Sequence, residues 1–92
     1  MNTLLNNKPS SVARLRWACR RGMLELDLIL AAFFEAEFTR LTLVEQSHFE
    51  ALLGEQDQDL YAWILNFQPC LDARYHAILL MIRHYVQYPA TT

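Results

Sequence analysis

From Met23 to Phe38 the chain is apolar on nearly every side of a helix. On a wheel of 100° per residue, Met23, Leu24, Leu26, Leu28, Ile29, Leu30, Phe33, Phe34 and Phe38 cover most of the circumference. A surface helix carries an apolar stripe rather than a sleeve, so the pattern predicts a central helix covered on several sides. The strip without large apolar groups holds Glu25, Ala32 and Ala36, while Asp27 falls inside the apolar arc.

Shorter amphipathic segments flank this helix. Pro9-Ser10-Ser11 reads as a helix start, with a serine hydroxyl to accept from the first free N–H groups. That first helix is predicted to reach Arg20, with Val12, Leu15 and Cys19 inward. Arg20 and Arg21 fall in its last turn, where cations meet the negative end of the helix dipole. Gly22 follows as the residue best suited to a left-handed close. One unbroken helix from 11 to 38 would be roughly 40 Å long, more than so small a domain is wide, so a turn is predicted at Gly22.

Thr42-Leu43-Val44-Glu45 matches the S/T-x-x-E capping box, with Leu41 as the apolar residue before the cap. A third helix follows, with Val44, His48, Phe49, Leu52 and Leu53 inward and Gly54 as its stop. Asp57 is predicted to cap a fourth, in which Leu60, Trp63, Ile64 and Phe67 recur at helical spacing and Pro69 ends the segment. Asp72 opens a fifth, with Tyr75, Ile78, Leu79, Ile82, Tyr85 and Val86 inward and Pro89 closing it. Links of a few residues suit helices packed side by side. The expectation is one domain over residues 1–92, an all-α compact five-helix bundle, with 1–8 and 89–92 as flexible tails.

Composition narrows the function. Two glycines leave little material for the tight turns of an all-β fold, and 53% apolar with 20% charged residues fits a packed globule. Ten Asp and Glu against eight Lys and Arg provide no general attraction for nucleic acid or an anionic membrane. No apolar run approaches the ~20 residues of a membrane span, and Met1-Asn2-Thr3 has no signal-peptide charge pattern. Cys19 and Cys70, far apart and without CxxC spacing, read as reduced thiols. The expectation is a soluble cytoplasmic protein.

Catalytic motifs are missing: no GxSxG, P-loop, GxGxxG or HExxH occurs. His76 and His84 are two helical turns apart, too distant to share a metal at ~2 Å bonds. Arg14, Arg16, Arg20 and Arg21 cluster with Trp17, the ingredients of a phosphate and base platform, yet Glu25 and Asp27 end that cluster and repel phosphate. Arg21 and Glu25 admit two readings. They are dipole partners joined by an exposed ion pair, or they edge a flat, small-residue strip that docks on a partner. Asp27 needs a donor, because an unpaired buried charge is costly. Arg14, Arg16, Arg20, the Trp17 indole and the backbone N–H groups of the junction are all candidates. Its expected role is to tie the first helix to the second and so make the Arg21–Glu25 geometry rigid.

The run from Trp17 to Asp27, W-A-C-R-R-G-M-L-E-L-D, closely resembles the signature of the bacterial FAD assembly factors of succinate dehydrogenase, the SdhE family. The family's RGxxE hallmark is met by Arg21, Gly22 and Glu25. Phe33-Phe34 and Asp57-x-Asp59-Leu60-x-x-Trp63 extend the likeness over about residues 12–70. The resemblance implies a five-helix protein that is not itself an enzyme, and a monomer is expected. Such a factor binds the flavoprotein subunit of succinate dehydrogenase, and often of fumarate reductase, and promotes covalent attachment of FAD to a histidine of that subunit. Arg20, Arg21, Gly22 and Glu25 would lie at the contact, with Asp27 and Trp17 nearby. No dinucleotide fingerprint accompanies this, so no tight FAD site is expected. The alternative is an antitoxin-like or nucleic-acid-binding regulator, since some relatives carry the antitoxin label. On the first reading, a glycine elbow presents one guanidinium and one carboxylate as a fixed docking face.

Overall fold

The computed structural model describes residues 12–89. Among them the chain forms α1 (12–18), α2 (Leu24–Glu37), α3 (Leu43–Leu52), α4 (Asp57–Ile64) and α5 (His76–Gln87), with 3-10 turns at Phe38–Arg40 and Ala73–Tyr75 and no strand. The all-α, five-helix architecture read from the sequence is the observed one. The expected start at Pro9-Ser10-Ser11, the tail 1–8 and residues 90–92 lie outside the described residues.

Helix α2 is the axis, with α4 and α5 packed on it and α3 packed on α5. Its Leu26, Leu30, Phe33 and Phe34 meet Phe49 and Leu52 of α3, Leu60 and Ile64 of α4, and Ile78, Leu79 and Ile82 of α5. Phe33 and Phe49 lie 5.6 Å apart and Phe34 and Phe38 4.9 Å apart between ring centroids, within the range of favourable aromatic pairs. Each such side chain contributes about 1.5–3 kcal/mol on burial, which is how helices of only 8–14 residues hold together.

The sleeve is not covered all round. Leu24 is 74% and Leu28 62% exposed, and Ala31 and Glu35 share their side of α2. Neighbours pack against one flank of the helix, so only a stripe is buried, and the second apolar flank faces solvent. Val12, Val44 and Val86, expected inward, are likewise exposed.

The ends of the helices follow local chemistry. Thr42 Oγ1 accepts from the Glu45 N–H at 3.1 Å and the Glu45 carboxylate accepts from the Thr42 N–H at 2.9 Å, completing the predicted capping box. Asn66 takes φ +65° and ends α4 in a left-handed turn. The Phe67 N–H then reaches the Ala62 carbonyl at 2.7 Å and the Asn66 N–H that of Trp63, the double bond of a Schellman close. Phe67 therefore leaves the helical register. It folds back on Tyr61 at 6.0 Å, instead of facing the core as its spacing implied. Asp72 accepts from the Arg74 N–H and caps the 3-10 turn that precedes α5, not α5 itself. The break at Gly22 is real, but its cause is conformational. Gly22 has φ +85°, a region that L side chains avoid, and the longest axis of the molecule, 46 Å, would have accommodated an unbroken helix.

Replacing Thr42 by Ala removes one half of the capping box, and we expect unfolding free energy to fall by about 1 kcal/mol. A urea titration followed by circular dichroism reads this as a lower midpoint at unchanged slope.

Candidate functional site

The elbow between α1 and α2 gathers every sequence-predicted site residue, but in two layers. Asp27, one turn into α2, turns its carboxylate back on the chain. Its Oδ1 accepts from the Arg21 N–H at 2.6 Å and its Oδ2 from the Gly22 N–H at 3.2 Å. Of the candidate donors, the backbone of the junction is the one used, and Asp27 ties α1 to α2 as expected. The left-handed Gly22 is thus locked on both its faces, by its own φ and by a carboxylate.

Arg21 lies in the inner layer. Its side chain is only 14% exposed and spends its donors on four acceptors. Nε donates to Asp57 Oδ1 at 2.8 Å, Nη1 to the Ala18 carbonyl at 3.0 Å and the Leu53 carbonyl at 2.7 Å, and Nη2 to the Glu55 carbonyl at 2.6 Å. Ala18 ends α1, and Leu53 and Glu55 follow α3, so the guanidinium satisfies carbonyls that a helix end leaves orphaned. The expectation that Arg21 offers its guanidinium as half of a docking face is corrected, as is the exposed Arg21–Glu25 ion pair. The reason is energetic: four charge-assisted bonds inside the fold outweigh one exposed pair worth 0–1 kcal/mol. Asp57 is corrected with it. Gln56 is the residue before α4 and makes no side-chain cap, while Asp57 turns to Arg21.

The outer layer is Trp17, Arg20, Gly22 and Glu25, all exposed. The Arg20 guanidinium lies 5.2 Å from the centre of the Trp17 ring, a cation–π contact that holds both side chains at the surface. Glu25 accepts from the Tyr61 hydroxyl at 3.0 Å, and this bond raises the pKa of that hydroxyl. Leu24 and Leu28 add apolar area on the same side of α2. Sequence reading missed Tyr61, Leu24 and Leu28 as surface. The signal for Tyr61 was its place four residues after Asp57, which matches the spacing of Arg21 and Glu25.

The basic cluster near Trp17 does not act as one patch. Arg16 pairs with Glu35 and covers the Phe34 ring, and Arg21 turns inward. The same bond raises the Arg16 pKa and lowers that of Glu35. Among the described residues no group of three His, Cys, Asp or Glu side chains could hold a metal, and no helix is long and apolar enough to cross a membrane. Cys19 and Cys70 are both buried and unbridged. Burial pushes the Cys19 thiol up to about 11, which makes it a packed neutral group at neutral pH rather than a nucleophile.

Comparison with known proteins finds a likeness that runs through most of the chain. A family model described as "flavinator of succinate dehydrogenase" matches residues 13–86. The FAD assembly factor SdhE of Vibrio cholerae is 53% identical over 58 residues, covering 63% of this chain and 67% of that protein. The FAD assembly factor SdhE of Colwellia psychrerythraea is 43% identical over 70 residues, covering 76% and 77%. That of Coxiella burnetii is 48% identical over 60 residues, covering 65% and 73%.

The two adjacent arginines should separate in a stability measurement. Arg21→Lys keeps the charge but loses the fork, and we expect a loss of about 2–4 kcal/mol, whereas Arg20→Lys should stay within about 0.5 kcal/mol. Equal effects in a denaturant titration would contradict the two-layer site. For Cys19 the folded pKa, about 11, lies above its ordinary 9.0, so its contribution is complete below pH 9 and is lost as pH rises toward 11. Urea midpoints across that window should fall, and Cys19→Ala should make the fall shallower.

Proposed function

The chain belongs to the flavinator family of succinate dehydrogenase, and from that membership we propose that it binds the enzyme's flavoprotein subunit through the outer layer of the elbow. In doing so it promotes covalent attachment of FAD to that subunit. It is an assembly factor, not an enzyme. The observation that carries the reading is the locked elbow, at which Gly22 and, before and after it in the chain, the Arg20–Trp17 pair and Glu25 are all exposed. A preformed surface loses little entropy on docking, and aromatic and arginine side chains are the usual anchors of such contacts.

A binder of this kind accelerates the partner's own chemistry by favouring the conformation in which histidine and flavin are aligned. FAD in this reading belongs to the partner and is not a resident cofactor of this chain. The reading extends to the fumarate reductase flavoprotein, and places the protein in the cytoplasm as a monomer. Arg21 and Asp27 contribute from within by holding the elbow, so their part in the contact is indirect.

The test is to mix the protein with apo-flavoprotein subunit and FAD and follow flavin fluorescence of the denatured subunit on a gel. Glu25→Ala should lower the rate about tenfold, the effect of losing one anchor worth ~1–2 kcal/mol, without shifting the thermal midpoint. Gly22→Arg should suppress attachment at least as far. It also costs about 1–2 kcal/mol of stability, because any side chain at φ +85° is strained. Normal flavinylation with both variants would remove the elbow from the contact.

A further inference from the structure

Arg21 and Glu25 are four residues apart, and so are the two side chains of α4 that hold them. Asp57 accepts from Arg21 Nε at 2.8 Å and Tyr61 donates to Glu25 at 3.0 Å. Residues four apart lie on one face of a helix. The first two turns of α4 thus form a rail with two rungs, one gripping the inner layer of the elbow and one gripping the outer. The rungs differ in kind. The Glu25–Tyr61 bond is solvent-exposed, whereas the Arg21 side chain is 14% and the Asp57 side chain 34% exposed.

Asp57 is the part of the Arg21 cage that carries a full charge. The remaining acceptors are the carbonyls of Ala18, Leu53 and Glu55, which every sequence supplies. A guanidinium facing carbonyls alone has water as a competitive alternative. An anion within the fold makes the inward rotamer the preferred one, because charge-assisted pairs are about twice as strong as neutral ones. The Arg21 backbone N–H is at the same time bonded to Asp27. The direction of the side chain and the path of the elbow are therefore coupled through a single residue.

We propose that Asp57 is a positioning residue of the docking surface: by holding Arg21 inward it sets where Arg20, Gly22 and Glu25 stand. This rests on the flavinator reading for what the surface docks to, and on the geometry alone for what Asp57 does to the elbow. Asp57 itself does not touch the partner.

Two measurements on the full chain test it. Amide hydrogen exchange at Arg21 and Gly22 reads the elbow with no partner present. Asp57→Ala should speed both at least about tenfold while Ile78 and Leu79 of α5 keep their protection, since local opening and global unfolding are separable. Unchanged exchange at the elbow overturns the proposal. The second measurement titrates apo-flavoprotein with each variant at a temperature where all are folded. Asp57→Ala should raise the concentration for half-maximal flavinylation about tenfold and leave the plateau in place. Arg21→Ala with Asp57→Ala should be no worse than Arg21→Ala alone, because both remove one cage. If Arg21 instead gripped the partner, Asp57→Ala would release it and affinity would hold or rise, and the proposal would fail. A wild-type chain that does not stimulate flavinylation sinks the functional reading, while the exchange experiment still decides the role of Asp57.

Discussion

The guanidinium of Arg21 is the point on which this small fold converges. It takes carbonyls from the end of α1 and from the segment after α3, and the carboxylate that opens α4. Helices of this length are marginal in water and leave their last carbonyls without partners. One planar fork with five donors can satisfy several such ends at once, which a lysine ammonium cannot do with the same geometry. Arg83 repeats the device at the far end of α4, where Nε and Nη2 both donate to the Trp63 carbonyl at 2.9 and 2.7 Å. Short helices are joined here end to end by arginine as much as face to face by the core.

The sequence made the architecture readable because its punctuation is strong. The capping box at Thr42 and the turn at Gly22 are local chemistry, and local chemistry can be read without knowing the fold. Asp27 was readable too, since a carboxylate in an apolar arc must find donors and the nearest were on the adjoining backbone. What escaped was direction. Arg20 and Arg21 are neighbours at a break in the helix, where a wheel has no meaning, so nothing in their order says that Arg21 turns in and Arg20 out. Asp57 looked like a cap because its position suits one, and its partner lies 36 residues earlier in the chain. Phe67 kept a helical spacing on paper, but Asn66 had already ended the helix.

The apolar sleeve of α2 was misread for a related reason. Periodicity counts apolar positions, and cannot say how many neighbours exist to cover them. With α4 and α5 on one flank, the Leu24 and Leu28 flank is left largely open to solvent. Scattered exposed leucines are ordinary. Here they neighbour Glu25 along α2, whose carboxylate accepts from the Tyr61 hydroxyl. A carboxylate so bonded is held in direction, and it enters a contact with less reorganisation than a freely rotating one.

Gly22 brings these strands together. A Cβ built on it meets nothing within 4 Å, so crowding within the chain does not explain the glycine. Its φ of +85° does, and that angle is held by the Asp27 bonds to Arg21 and Gly22. The consequence is an exposed stretch of main chain without a side chain, fixed in place and flanked by a cation on an aromatic ring and by an anion. Another protein can approach such a stretch as closely as two backbones allow. Rigidity supplied from beneath by Arg21, and bareness supplied above by Gly22, are separate requirements. Two adjacent residues meet them together because the chain reverses its handedness between them.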